Sequence, residues 1–121
     1  QNQITAETAP KVDCKILAEG ANGPTTLEAD DILKDRGIVL LPDILANAGG
    51  VVVSYFEWVQ GLQNLTWPLE EINGRMHAIL TDALARTQRR AELEKVDMRT
   101  AAMIEALSRV GAANLLRGLF P

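Results

Sequence analysis

The residues best suited to chemistry lie in the stretch Asn47-Ala48-Gly49-Gly50-Val51-Val52-Val53-Ser54, which runs on into Tyr55-Phe56-Glu57-Trp58. It places an amide, two glycines and a hydroxyl ahead of aromatic residues on an otherwise apolar helical pattern. Adjacent glycines are disfavoured in a helix interior, each by roughly 1 kcal/mol relative to alanine. Their presence points to something that must approach the backbone closely. The stretch follows an apolar strand-like run, Ile38-Val39-Leu40-Leu41, and a turn signal, Pro42-Asp43. It therefore lies beyond the carboxyl end of a strand, where open α/β sheets bind ligands.

The elements that must hold these residues can be read around them. Lys15 to Glu19 is predicted as a short strand, and Gly20-Ala21-Asn22-Gly23-Pro24 as a loop of turn formers. Thr25 or Thr26 can N-cap a helix with Glu28 and Asp30 in its first turn and Gly37 as its stop. A second strand over 38–41 completes a βαβ unit, expected to be parallel and right-handed. A helix is predicted from about Ile44 or Ala48 to Gln60. A further one opens at Trp67-Pro68 and runs to about Glu94. The last is N-capped by Asp97 and followed by Gly118. Ile72, Met76, Ile79 and Leu80 give the first of these long helices an apolar face, and Ile104, Leu107, Val110 and Leu115 the second.

The chain has 121 residues with a formal net charge of −4; 47% are apolar and 23% charged, which fits a globular domain. Its basic residues form no patch, so the electrostatic footprint of a nucleic-acid binder is absent. No apolar run is long enough to span a membrane. The polar start lacks a signal-peptide core and an initiator Met, as a truncated or processed start would. Cys14, as the sole cysteine, allows no internal disulfide, fits a reducing compartment such as the cytoplasm, and reads as a core thiol. His77 has no partners at metal-ligand spacing and reads as surface.

Both strands are almost continuously apolar, the pattern of parallel strands covered on both faces. Two such strands alone leave hydrophobic edges open, and no G-x-G-x-x-G phosphate loop is present. The expectation is the end of a larger sheet.

Several long motifs carry a family resemblance: Ala18-Glu19-Gly20-Ala21-Asn22-Gly23-Pro24-Thr25-Thr26, then Leu41-Pro42-Asp43-Ile44-Leu45-Ala46-Asn47-Ala48-Gly49-Gly50-Val51, then Val53-Ser54-Tyr55-Phe56-Glu57-Trp58, and Val96-Asp97-Met98-Arg99-Thr100-Ala101-Ala102. From Ile4 to Gly118 the chain closely resembles the carboxyl-terminal part of hexameric glutamate dehydrogenases, of the glutamate, leucine, phenylalanine and valine dehydrogenase family. The resemblance implies an α/β fold: the carboxyl-terminal part of a Rossmann-type doubly wound parallel sheet, about two strands, followed by long helices. Residues 1–62 would close the dinucleotide-binding domain, and 63–121 would be a helical segment packing back on the cofactor and substrate domains.

It also implies a reaction, the reversible oxidative deamination of L-glutamate to 2-oxoglutarate and ammonia with NAD or NADP, in a homohexamer. The loop Gly20, Ala21 and Asn22 would lie against the cofactor, with the Asn22 amide on the nicotinamide-side ribose. Asn47 would lie near both nicotinamide and amino acid. Gly49 and Gly50 would admit ring and substrate, Val51 would line the channel for the methylenes, and Ser54 would bond the distal carboxylate. A hydroxyl donor matches a carboxylate without adding charge. Relatives acting on apolar amino acids typically place an apolar residue at the Ser54 position, which favours glutamate here. No catalytic residue is expected in this chain; the family's catalytic lysine and phosphate loop lie upstream. Leu27 and Pro68 depart from the family pattern, at helix starts. A non-catalytic regulatory or structural subunit of the same family is the alternative.

Plainer roles remain open for the same residues. Asn22 could occupy a left-handed turn, Asn47 could cap the following helix, and Ser54 could bond to the preceding turn. The glycines could serve close packing. Tyr55, Phe56 and Trp58 read as packing residues, and Arg86, Arg89, Arg90, Glu92, Glu94 and Lys95 as a solvated helix face.

Overall fold

The computed structural model describes residues 1–118; the last three residues of the helical segment expected over 63–121 lie outside them. A 3-10 turn (Ala9–Lys11) leads into β1 (Ile16–Ala18), α1 (Leu27–Asp35), β2 (Val39–Leu41), a one-turn helix α2 (Asp43–Ala46), and then α3 (Gly49–Gln63), α4 (Leu69–Glu94) and α5 (Met98–Arg117).

β1 and β2 pair in parallel with Ile16 opposite Val39, Leu17 opposite Leu40 and Ala18 opposite Leu41. Alternation along each strand turns Leu17 and Leu40 to one face. There they meet Ala29 and Leu33 of α1, Ile38 and Ala9, with Cys14 at the margin of this core. The opposite face is open: Ile16 is 61% and Val39 49% exposed. The expectation of strands covered on both faces therefore holds for one face among the described residues, because α1 and the 3-10 turn both lie on the same side.

Local chemistry sets the ends of α1. The Thr26 hydroxyl accepts from the Ala29 amide at 3.3 Å, and Gly37, at φ +73°, ends the helix. The amides of Gly37 and Ile38 bond back to the carbonyls of Lys34 and Leu33, the Schellman pattern that satisfies carbonyls a helix end leaves orphaned. Arg36 Nη1 donates to the Ala9 carbonyl at 2.6 Å, tying the 3-10 turn to this helix.

The single helix expected to begin near Ile44 or Ala48 is two helices, α2 and α3, separated at Asn47 and Ala48. Gly49 and Gly50 thus occupy the first turn of α3 rather than a helix interior. α3 also passes through Gly61 to Gln63, and Asn64 ends it in the left-handed conformation, φ +51°. Phe56 is buried and meets Trp67 edge-on at 5.6 Å. Arg75 of α4 lies 4.4 Å over the other ring, Trp67. Of the aromatic residues expected to pack, Tyr55 and Trp58 remain exposed.

α4 and α5 form a helical hairpin in which Thr87, Ala101 and Ala102 are buried. The part of α4 expected to be a solvated face is partly an interhelical one: Arg86 and Arg90 both pair with Glu105 of α5, and Arg86 also pairs with Asp82. The apolar stripe of α5 is only partly used. Ala101 is buried, whereas Leu107, Val110 and Leu115 are exposed.

Candidate functional site

The site is built where β1 and β2 end. Ala18 closes β1, and Glu19 turns inward, 2% exposed. The chain then makes the exposed bend Gly20–Asn22 and turns at Gly23, which sits at φ +55°. The left-handed position is therefore Gly23, and the plain turn role open to Asn22 is not the one it plays. On the β2 side, Pro42 is buried and starts α2, which delivers Asn47 at its carboxyl end. Asn47 Nδ2 donates to Asn22 Oδ1 at 2.6 Å, across 25 residues of sequence. The capping role open to Asn47 is not used either: the N-cap of α3 is Ala48, without a side-chain bond.

Gly20, Ala21, Asn22, Asn47, Gly50, Val51 and Ser54 line one open concavity of about 560 Å³. Gly50, Val51 and Ser54 share a face of α3 because residues three and four apart in a helix are neighbours. Val51 is 75% exposed there, and Ser54 is exposed beside it. The two glycines part company. A Cβ on Gly49 would meet Met76 Sδ at 3.5 Å and Leu80 Cδ1 at 3.8 Å, whereas one on Gly50 would meet nothing within 4 Å. Gly49 serves the approach of α3 to α4, and Gly50 leaves backbone open at the concavity. The lining carries amides, a hydroxyl and apolar groups, none of which titrates near neutral pH. This wall can bind and orient a ligand, and it holds no group that would move a proton.

Beneath the wall lies a cluster of charge. Arg99, from the first turn of α5, donates from Nη2 to Glu19 Oε1 at 2.7 Å, from Nη1 to Glu19 Oε2 at 3.1 Å, and from Nε to Asp30 Oδ2 at 2.6 Å. Its Nη1 lies 3.9 Å from Asp43 Oδ1. Glu19 Oε2 also accepts the Asp43 amide at 2.9 Å, and Asp43 Oδ2 accepts the Gly23 amide at 2.8 Å. Burial by itself would raise the Glu19 carboxyl; the Arg99 hydrogen bonds and the Asp43 amide outweigh it and hold the group below its ordinary value. The Gly23 amide, against a smaller opposing effect of burial, holds Asp43 low as well. Burial also works against the Arg99 charge, but Glu19 and Asp30 together raise its pKa further. A narrower cavity of about 250 Å³ between α1, β2 and the start of α5 is lined by Asp30, Lys34, Val39, Asp97 and Arg99, and by none of the sequence-predicted site residues.

Sequence reasoning missed Glu19, Asp43 and Arg99 as a unit. One signal was available: an arginine in the first turn of a helix opposes the macrodipole, so it calls for an acidic partner elsewhere. Among the described residues, no group of three or more His, Cys, Asp or Glu side chains could hold a metal ion, and no helix is long and apolar enough to cross a membrane.

The glutamate/leucine/phenylalanine/valine dehydrogenase family model matches residues 1–118. The chain is 49% identical over 121 residues to glutamate dehydrogenase of Thermotoga maritima, covering all of this chain and 29% of that protein. Two proteins of Halobacterium salinarum are similarly near. NAD-specific glutamate dehydrogenase A is 48% identical, over 99% of this chain and 28% of its own length. NADP-specific glutamate dehydrogenase A1 is 45% identical, over 100% of this chain and 29% of its own length. Among solved structures, glutamate dehydrogenase from Peptoniphilus asaccharolyticus superposes with a TM-score of 0.92 at 40% identity, covering 99% of this chain and 30% of that one. The chain thus spans under a third of the length of these relatives, and its two parallel strands and following helices are part of a Rossmann-type α/β fold. By the match of its whole described length, the chain belongs to the glutamate/leucine/phenylalanine/valine dehydrogenase family.

Proposed function

We propose that the whole protein is an NAD(P)-dependent glutamate dehydrogenase, assembled as a homohexamer, and that this chain forms one wall of its cofactor and substrate site. The reaction is the reversible oxidative deamination of L-glutamate to 2-oxoglutarate and ammonia. The observation that carries this reading is the common concavity of Gly20, Ala21, Asn22, Asn47, Gly50, Val51 and Ser54, at the strand ends where open α/β sheets bind ligands.

The lining suits a dinucleotide and an amino acid side by side. After their mutual bond, Asn22 keeps amide donors and Asn47 keeps a carbonyl acceptor. In this reading Asn22 meets the nicotinamide-side ribose, and Asn47 orients the ring and the α-amino group. The open backbone at Gly50 lets both approach. Val51 packs along the substrate methylenes, and the Ser54 hydroxyl donates to the distal carboxylate. The nicotinamide, when bound, supplies the acceptor for the α-hydrogen as hydride. Proton transfer belongs to the catalytic lysine in the part of the whole protein outside this chain, so this chain alone does not turn over glutamate. The choice between NAD and NADP lies outside it too, which agrees with similar identities to an NAD-specific and an NADP-specific relative.

The test is an initial-rate comparison of the whole protein on glutamate, leucine, phenylalanine and valine, with NAD and with NADP. The expected outcome is a clear preference in kcat/KM for glutamate. A preference for an apolar amino acid would reject the role given to Ser54 and keep only the family.

A further inference from the structure

Arg99 lines no part of the concavity, yet its hydrogen bonds lead directly under both sides of it. The guanidinium takes the Glu19 carboxylate with two nitrogens, at 2.7 and 3.1 Å. The Glu19 oxygen that accepts Nη1 also accepts the Asp43 amide. Asp43 in turn spreads its carboxylate over two amides, Gly23 at 2.8 Å and Ile44 at 2.7 Å. Gly23 is bonded to Asn22 through the chain. Asn47 is one helical turn from Asp43, and its amide bonds back to the Asp43 carbonyl at 3.0 Å. Any displacement of Asp43 is therefore transmitted to both partners of the 2.6 Å bond between Asn22 and Asn47.

We propose that Arg99 is a positioning residue for nicotinamide-side recognition, setting the separation of Asn22 and Asn47 through Glu19 and Asp43. The electrostatics give the reason a cation is needed. Glu19 is fully buried, and Asp30 and Asp43 are three-quarters buried beside it. Three carboxylates gathered under one loop repel unless a charge is set among them. A guanidinium does this with fixed planar geometry, and its fork holds Glu19 in one orientation. An ammonium at the same place supplies charge without that fork. The Arg99→Lys variant therefore keeps the neutralisation and loosens the geometry.

This proposal rests on the reading of the concavity as a cofactor site, and a double-mutant cycle in the whole protein separates the two. Dissociation constants for NAD and NADP are measured by direct titration for wild type, Asn47→Ala, Arg99→Lys and the double variant, with kcat and KM for glutamate alongside. Arg99→Lys is expected to weaken binding of the preferred dinucleotide roughly tenfold, the scale of one charge-assisted hydrogen bond. In the Asn47→Ala background it is expected to add much less than in wild type, because the Asn22–Asn47 bond it sets is gone. Additive losses, or no loss from Arg99→Lys, would overturn the positioning role while leaving the cofactor site in place. Unchanged binding in Asn47→Ala would reject the cofactor site itself and the proposal with it. Where Arg99→Lys does not give folded protein, Asp43→Asn takes its place in the cycle. It interrupts the same path one step closer to Asn47, and the same non-additivity is expected.

Discussion

Two regions only one side chain apart in the chain, Glu19 and the loop that follows it, are built on opposite terms. The concavity wall is exposed and neutral, and its side chains are joined by the one bond between Asn22 and Asn47. The Arg99 cluster under it is charged and mostly buried: Arg99 hydrogen-bonds Glu19 and Asp30, with Asp43 3.9 Å away. Exposed amides and a hydroxyl cost little in stability and remain available to a ligand. Buried charges are costly unless paired, so they stay where pairing fixes them. In the proposed reading the first region recognises the ligand and the second positions it.

The largest effect that would break this contrast is in stability. Arg99→Ala leaves Glu19 buried without its counter-charge and is expected to cost about 3–5 kcal/mol of unfolding free energy. Ser54→Ala, on the exposed wall, is expected to stay within about 0.5 kcal/mol of wild type. Denaturant unfolding of the whole protein and both variants checks this. Similar losses from the two would erase the distinction.

Acid sharpens it next. The folded pKa values of Glu19 and Asp43 lie below those of the unfolded chain. The unfolded state therefore binds more protons as pH falls. The stabilisation is complete above about pH 5 and is lost as pH falls through the lowered folded values. Thermal midpoints of wild type and Glu19→Gln should thus differ most near neutral pH and converge on acidification. A gap that ignores pH would remove Glu19 from the account.

A last, small stability effect has the opposite sign. A Cβ at Gly50 meets nothing within 4 Å, so Gly50→Ala, in the first turn of α3, is expected to leave stability unchanged or raise it by less than the roughly 1 kcal/mol of a helix interior. The same methyl group stands in the concavity and is expected to weaken glutamate and dinucleotide binding. A variant that loses stability and keeps its affinity would contradict the separation of Gly49 from Gly50.

One half of the wall was legible in the sequence because its parts are local; the other half, Gly20 to Asn22, came from the family resemblance, since Asn22 and Asn47 lie 25 residues apart. Asn47, Gly50, Val51 and Ser54 are fixed by one helix and its entry. The Thr26 and Asp97 caps, with their bonds to the amides of Ala29 and Thr100, follow from residue types a few positions apart. The helix break at Asn47 and Ala48 was not legible, because an apolar run following Pro42 fits one helix as well as two. The cluster was hidden for a different reason. Arg99 and Glu19 lie 80 residues apart, and no periodicity or turn chemistry links positions at that range. An apolar pattern states what a face can bury and not which elements lie on it, and among the described residues one face of the two strands is covered.

In the proposed reading this wall helps select glutamate through Ser54. The decisive measurement is the ratio of kcat/KM for L-glutamate to that for L-norvaline, which lacks the distal carboxylate, in the whole protein and in Ser54→Ala. The ratio is expected to fall by about 10- to 100-fold, the worth of one hydrogen bond to a charged group, with dinucleotide binding nearly unchanged. An unchanged ratio would contradict the role of Ser54 and the reading of the concavity built on it.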